Sequence, residues 1–435
     1  MAKHNKKPSP DQQKKLLTAQ NRNDFFKRFE HLVTLISGKK ETFKSMSQKT
    51  LDHIYTCRIR SPRIEPADGC TIDPHILEEF RIHAIPQLRV IKEVFNENGD
   101  SITLYDYLTV GLTLFLLSNF FKTLLGKTDN DFVQKIAANS DRIAEPNSLS
   151  IQARNAVGSL AAYLSDLTAD MYWVDIDFKE AQNSSIPTLH TAFKVSVHHQ
   201  QKESIVIDGI HRASVRLGWW LHSNGMDWCM LSPELFGLPK RDETHLLPVF
   251  IQLHALQRVN ERVDCVDKNF VGIYIYSSLK DAKIHPGRNG KFLIESQFIE
   301  KKVGYFVASL HDDKVILRTF LFLTNNGTPE GQKLAELTGI QKQDKKYLAL
   351  DKLSTFIDPE LRQNETIRRL FVDAGCGVLF ELAKSGMMDA NSKTGNVKAE
   401  TLMKYLKLMP VEADEPPDFS DAFMNVRYKD FFSIN

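Results

Sequence analysis

The run PVFIQLHALQRVNERV, Pro248–Val263, constrains the fold more strongly than any other stretch of the sequence. Val249–Ile251 predict a short apolar strand, and the residues after them predict a helix. His254, Arg258 and Arg262 recur at every fourth position, so they lie on one face of that helix. The opposite face carries apolar residues at the spacing of a buried core: Leu253, Leu256, Val259 and Val263.

The residues after this helix have the composition and spacing of β-strands. We predict strands at Lys291–Ser296, Val303–Leu310 and Val315–Thr324, with a tight turn at His311–Asp313 between the last two. Segment 247–331 therefore predicts one helix followed by an antiparallel β-meander.

The whole chain predicts an α+β protein with helices at both ends. Helical patterns fill the first 170 residues, and the first helix is expected at about Asp11–Ile36 with Asp11 as its N-cap. Runs of β type begin near Tyr172. We expect six segments: a disordered tail 1–10, a helical domain 11–170, a β-rich segment 171–246, the helix-plus-sheet domain 247–331, a helical region 332–410 and a tail 411–435.

Composition limits the classes of protein to which this chain can belong. Hydrophobic residues make up 42% and charged residues 25%, which is typical of a soluble globular protein. The net charge of +2 gives no overall attraction to nucleic acid, so any basic surface must be local. Five scattered cysteines without CxxC spacing predict free thiols in a reducing compartment and no zinc site. We expect a cytoplasmic protein that uses no metal and no cofactor.

The most apolar stretch is Tyr107–Leu125. Asn119 and Lys122 interrupt it, so it predicts a buried core helix rather than a membrane span. The Lys-rich N-terminus has no apolar segment behind it, so neither a secretory signal nor a membrane partner is expected.

The cationic helix face carries residue types that can cleave RNA without a metal. In such a reaction a base removes the 2′-OH proton, an acid protonates the leaving 5′-oxygen, and cations stabilise the phosphorane. His254 titrates in the range for either proton transfer, and its two arginine neighbours can hold phosphate through paired hydrogen bonds. Lys291 and Lys301–Lys302 extend the cationic surface onto the sheet. Thr319 and Thr324 face opposite sides of a regular strand, and Thr319 is the expected hydroxyl partner.

This segment resembles a known family. The order HALQRVNER, GKFLIES, KKVGYFVASL and DKVILRTFLFLT is similar to that of the barnase–EndoU–colicin–RelE group of ribonuclease toxin domains, over about 80 of the 435 residues. The resemblance implies that His254 exchanges the proton, that Arg258 and Arg262 stabilise the phosphorane, and that Thr319 orients the phosphate. The chain departs from RelE-like toxins in having a neutral loop, TNNGTPEG, where they place a basic tail.

A second candidate for phosphate binding is Asp208-Gly209-Ile210-His211-Arg212. It resembles the D-G-x-H-R element of the ParB and sulfiredoxin-like superfamily, which implies a strand-turn-helix that presents backbone amides and the arginine to a nucleotide phosphate. Gly209 suits the tight turn, and Lys291 joins this phosphate-binding set. The alternation that begins at Ala213 favours a strand instead of a helix. The alternative is therefore a β-bulge that leaves His211 and Arg212 on a sheet surface.

The predicted function is a metal-independent endoribonuclease of RelE-like toxin type that acts on RNA phosphodiesters. Its expected partners are RNA, in a ribosomal context for such toxins, and a neutralising protein. The alternative is a non-catalytic module that binds RNA, a nucleotide or a protein through the same cationic face. An exposed His254 beside Arg258 and Thr319 favours the enzyme, whereas His254 packed in the core or paired with Glu261 favours the binding module.

Overall fold

The computed structural model describes residues 9–94, 98–117, 131–136, 149–180, 189–222, 225–382 and 399–406. The fold is α+β with helices at both ends, as predicted. The predicted tails 1–10 and 411–435 lie outside the described residues, apart from Ser9 and Pro10.

The chain forms two compact units. Unit 1 comprises Met1–Ala161 and Trp173–Val197, and unit 2 comprises Ala162–Tyr172 and His198–Asn435. The segment 171–246, expected to be one β-rich region, contributes to both units. The helices after residue 331 share a hydrophobic core with the sheet before them.

Unit 1 begins with helix α1, Pro10–Ser37, whose N-cap is Ser9 and not the expected Asp11. Ser9 Oγ accepts a hydrogen bond from the Gln12 backbone N–H at 3.4 Å, and the Gln12 side chain accepts one from the Ser9 N–H at 3.0 Å. This reciprocal capping box satisfies two N–H groups that the first turn leaves free. The following helices are α2 Glu41–Lys44, α3 Gln48–Cys57, α4 Pro74–Val90, α5 Leu104–Asp106, α6 Leu112–Leu116, a helical stretch at 131–136, and α7 Leu149–Leu164.

The first 170 residues are not purely helical, contrary to the prediction. Strand β1, Arg63–Pro66, runs parallel to β5, Leu189–His199, and β5 also neighbours β4, Asp170–Glu180, in a three-stranded sheet. Strands β2, Lys92–Val94, and β3, Ser101–Thr103, form a separate antiparallel pair. Each of these early strands is too short to give a periodic signal in the sequence.

The described part of the apolar stretch Tyr107–Leu125 is helical and largely buried, and its first five residues, Tyr107–Gly111, form a π-helix between α5 and α6. Residues 118–125 of this prediction lie outside the described residues. None of the described helices combines the length and the hydropathy that crossing a membrane requires.

Unit 2 is built on one large sheet with the strand order β12-β13-β14-β15-β11-β7-β6, with β10 pairing to β11 beside this path. Its strands, together with the separate β8–β9 ribbon, are β6 Lys202–Ile207, β7 Ile210–Arg216, β8 Gly218–His222, β9 Gly225–Trp228, β10 Met230–Leu231, β11 Leu247–Gln252, β12 Ile284–Pro286, β13 Phe292–Phe298, β14 Lys301–His311 and β15 Lys314–Phe322. The predicted antiparallel meander is confirmed for β13, β14 and β15. The central pair, β11 and β15, is parallel, with Val249 opposite Val315 and Ile251 opposite Leu317.

Two helices follow β11, where one was predicted. Helix α8, Leu253–Arg262, buries Leu256 and Val259 as predicted, and Val263 is buried just beyond its end; Ala255 is buried as well, whereas the predicted Leu253 is only half-buried. Helix α9, Lys268–Lys280, and strand β12 then come before the meander. Asp267 caps α9 by accepting a hydrogen bond from the Asn269 N–H at 3.0 Å. The remaining helices are α10 Pro329–Thr338, α11 Lys342–Tyr347, α12 Leu353–Ile357, α13 Pro359–Gln363, α14 Glu365–Asp373, α15 Val378–Glu381 and α16 Ala399–Leu406.

The two faces of this sheet are covered differently. Val249, Ile251 and Leu317 face the main core together with the buried side of α8. Phe250 and Ile316 face the other way, and we call this the outer face. There they form a separate small cluster with two residues of β6, Ile205 and Ile207. Because β7 lies between β6 and β11 in the sheet, these side chains of the β6–β7 hairpin and of the central strands meet across β7 on the outer face.

Candidate phosphate-binding site

Helix α8 does not present a free cationic face. His254 is exposed, but Arg258 Nη1 lies 2.6 Å from Glu261 Oε2, one turn along the same helix. Arg262 pairs with Asp351, whose side chain is only 7% exposed, and the arginine itself is 15% exposed. Both arginines therefore hold carboxylates of this chain, and Arg262 in particular ties α8 to the segment that precedes α12.

Thr319 does not lie with these residues. In the pairing of β14 with β15, Ala308 is opposite Leu317 and Val307 is opposite Thr319, so Arg318 is the extra residue of a β-bulge. Leu317 and Phe320 both belong to the core under the helices, which leaves Thr319 on the outer face. The structure thus separates Thr319 from the helix that carries His254, and the predicted catalytic group is not assembled.

The Asp208-Gly209 segment is the tip of the β6–β7 hairpin. Both residues have positive φ, +52° and +75°, as a two-residue hairpin turn of the primed type requires. Gly209 adopts its conformation without strain, which confirms the role predicted for it. A strand, and not the helix that the ParB resemblance implies, runs from Ile210 through Arg216. The predicted bulge is also absent, since the turn joins two strands in unbroken register.

Cations from β7 and from two more distant segments of unit 2 act on the hairpin tip. Asp208 Oδ2 accepts a hydrogen bond from Arg318 Nη2 at 2.6 Å. This bond lowers the pKa of Asp208, and the charges of Arg318, Lys291 and Arg212 lower it further. Two residues of the predicted phosphate set, Arg212 and Lys291, are therefore brought near Asp208. His211 is exposed beside them, with its Nδ1 3.2 Å from Ser204 Oγ.

Arg318 is the member of this group that sequence reasoning missed. It stands next to Thr319 in the run ILRTFLFLT, but a regular strand would place the two side chains on opposite faces. The bulge interrupts that alternation locally, and no residue pattern in a single sequence predicts the bulge.

Cations outnumber carboxylates at this tip. Within the described residues, Asp208 is the carboxylate that the three cations share, and Arg212 and Lys291 form no ion pair of their own. Arg212 is exposed and Lys291 is partly exposed, so both are open to a ligand. The cluster therefore keeps positive charge that this part of the chain does not neutralise. We call Arg212, Lys291 and Arg318 the tip cluster.

The outer face next to the tip cluster offers neutral hydrogen-bonding groups as well. Gln252 is the last residue of β11 and pairs with Ser214 of β7. Its neighbour Ile251 pairs with Leu317 of β15, so Gln252 lies beside the bulge at Arg318. Its Nε2 is buried and has no hydrogen-bond partner among the described residues. An amide donor of this kind, with the Thr319 hydroxyl on the same face, suits an anionic ligand or an ordered water.

A second polar network on the same sheet is paired internally. Lys302 Nζ lies 2.6 Å from Glu330 Oε1, 3.5 Å from Glu295 Oε1 and 3.0 Å from Tyr305 Oη. His285 Nε2 lies 3.0 Å from Glu295 Oε1. Burial, together with the charge of Glu330, raises the pKa of Tyr305 to about 12. Lys302 is paired with both carboxylates, so the network fastens α10 to the sheet and leaves no free cation for a phosphate.

No group of three or more histidine, cysteine, aspartate or glutamate side chains in the described part of the chain could hold a metal ion. Comparison with family models, with curated proteins and with solved structures gives no match.

Proposed function

We propose that unit 2 is a non-catalytic RNA-binding module that holds phosphate groups at the tip cluster. The observation that carries the proposal is the excess of exposed positive charge over carboxylate around Asp208. Arginine binds phosphate through its planar pair of N–H groups, and lysine adds a compact charge. Phosphate contacts of this type position a nucleic acid without reading its sequence.

The charge distribution sets the kind of binding to expect. The chain as a whole has a net charge of +2, so attraction to RNA depends on the local cluster. Two or three phosphate contacts give modest affinity that falls with salt: the slope of log affinity against log salt concentration is about −0.7 for each phosphate of a single strand that the protein neutralises. All five cysteines are free thiols, which favours the reducing, cytoplasmic setting in which an RNA partner would be met.

Metal-independent RNA cleavage of RelE-like toxin type is the second candidate. One observation favours it: the His254 side chain is exposed in the first turn of α8 and open to solvent. The engagement of Arg262 by the buried Asp351 favours the binding module, because this arginine is not free to stabilise a phosphorane, whereas Arg258 is held only by the exposed Glu261. A neutralising protein partner is proposed only together with this second candidate.

The test of the first candidate is binding of a fluorescein-labelled single-stranded RNA of about 12 nucleotides, followed by anisotropy over a range of salt concentrations. We expect Arg212→Ala and Lys291→Ala each to weaken binding several-fold and to reduce the salt slope by about 0.7. Lys268→Ala is the matched control, because it removes an exposed cation from the start of α9. Equal losses in all three variants, or no binding by the folded wild type and by all of its variants, would overturn the proposal.

The test of the second candidate is cleavage of labelled RNA in EDTA by the wild type and by His254→Ala. Under the binding proposal, neither protein produces 2′,3′-cyclic phosphate ends. Cleavage by the wild type that is lost in His254→Ala would establish the endoribonuclease instead.

A further inference from the structure

We propose that Asp208 is a built-in competitor for the RNA phosphate: its carboxylate occupies Arg318 in the free protein, and the bound phosphate replaces it. This inference rests on the function proposed above and concerns how the same site is regulated. The exchange keeps one anion on Arg318 throughout. In the free protein, therefore, only Arg212 and Lys291 are available to phosphate, and in the complex all three cations of the tip cluster contact phosphate.

The accessibility of the pair allows this exchange. The Asp208 side chain is 71% exposed and that of Arg318 is 21% exposed, so a ligand can reach the carboxylate without opening the core. Arg318 approaches from a bulge, where its backbone is outside the regular strand pairing. An exposed ion pair contributes little to stability, so replacing the carboxylate by a phosphate costs little free energy.

The hairpin does not depend on Asp208 for its position. At the other end of β6, Glu203 Oε2 lies 3.0 Å from Lys314 Nζ, and this ammonium lies 4.7 Å from the centre of the Phe250 ring. Between the two ion pairs, Ile205 and Ile207 are buried against β11 and β15. These contacts keep β6 on the outer face when the Asp208 carboxylate leaves Arg318.

The substitution Asp208→Asn removes the negative charge of this side chain while keeping the conformation of the turn. Asparagine is among the residues that best tolerate positive φ, and Asn-Gly is a preferred sequence for a two-residue hairpin turn. The variant therefore keeps the tip and removes only the competing anion. Glu203→Gln is the matched control, because it makes the same change in net charge on β6, the strand that leads into the tip.

The experiment is the anisotropy titration with the same labelled RNA of about 12 nucleotides. We expect Asp208→Asn to bind about two- to fivefold more tightly than wild type, because no carboxylate has to leave Arg318, and to keep the wild-type salt slope, because Arg318 holds phosphate in both complexes. Arg318→Ala should lower the slope by about 0.7, and in this background Asp208→Asn should no longer tighten binding. Glu203→Gln should leave the affinity unchanged in the wild-type background.

The outcomes separate this inference from the proposed function. If the wild type binds through Arg212 and Lys291 but Asp208→Asn binds no more tightly than the wild type, the competitor role is wrong and the binding function stands. Equally tighter binding by Asp208→Asn and by Glu203→Gln would show a general charge effect and would also overturn it. Absence of binding by both the wild type and Asp208→Asn would refute the two proposals together, whereas binding by Asp208→Asn alone would support both.

Discussion

The pair formed by Arg262 and Asp351 tests whether an arginine predicted as catalytic is structural instead. Arg262→Ala leaves the Asp351 carboxylate, 7% exposed, without its cation. One oxygen of that carboxylate, Oδ1, already lacks a hydrogen-bond partner among the described residues. Breaking a buried pair costs about 3–5 kcal/mol, and the residual exposure of Arg262, 15%, places the expected loss near about 3 kcal/mol.

Arg258→Ala is the matched control on the same helix. Its partner Glu261 is an exposed neighbour one turn away, and Arg258 itself is 39% exposed, so the expected loss is about 0.3–0.5 kcal/mol. The double replacement Arg262→Met with Asp351→Leu should recover most of the loss, because it removes both buried charges.

The assay is urea unfolding of the full chain followed by tryptophan fluorescence. Three of the four tryptophans, Trp219, Trp220 and Trp228, belong to unit 2, so the signal reports mainly on that unit. RNA affinity of the folded Arg262→Ala protein should stay within about twofold of wild type, since no phosphate contact is removed. The reasoning is refuted if Arg262→Ala unfolds within about 0.5 kcal/mol of Arg258→Ala, or if it stays folded and loses RNA binding.

Three further predictions concern other parts of the fold. Burial lowers the pKa of Lys345 from 10.5 to about 8, so between these pH values the unfolded chain holds a proton on Lys345 that the folded chain has lost. The free energy of unfolding of the wild type, compared with that of Lys345→Met, should therefore increase as the pH rises from about 8 to 10.5. Urea unfolding at each pH measures this difference. Gly304→Ala should lower the melting temperature strongly, because a Cβ there would lie 2.2 Å from the Leu321 carbonyl oxygen. Gly158→Ala should instead stabilise unit 1 by about 0.5–1 kcal/mol, because Gly158 is a helical residue of α7 with open space around it. Cys70 should be the first cysteine that iodoacetamide labels, because it is partly exposed and burial raises the pKa of the other four thiols; mass spectrometry of the native protein checks the order.

The elements that sequence predicts well here are those with a strong local period. β11 and α8 follow from the apolar spacing of Val249–Val263, and the β13–β15 meander follows from its alternation and turn. Helix α9 was missed because its run KNFVGIYIYSSLK is apolar almost all round, which hides the helical period in a stretch rich in β-branched and aromatic residues. Its start at Asp267 was readable as a cap.

The candidate site was predictable only in part, for reasons of distance along the chain. Asp208, Gly209 and Arg212 were identified from the resemblance to the D-G-x-H-R element, and Lys291 from its charge. Their common location depends on contacts that the β6–β7 hairpin makes across the outer face of the sheet, and the contribution of Arg318 depends on a bulge; neither leaves a local pattern. The separation of Thr319 from α8 has the same origin. Long-range placement of this kind is set by packing and not by the residues themselves.

The parallel pairing of β11 with β15 affects the order in which parts of the protein fold. The meander β13–β15 consists of near neighbours and can form early, but Asp208 and Arg318 are 110 residues apart and meet only when β15 closes against β11. Non-local pairing of this kind is slow because the loop must be closed before its contacts are gained. A chain still emerging from the ribosome therefore carries Arg212 on an exposed hairpin long before Arg318 is synthesised. The tip cluster becomes complete only in the finished unit, so under the proposed function a nascent chain should hold RNA less tightly than the mature protein.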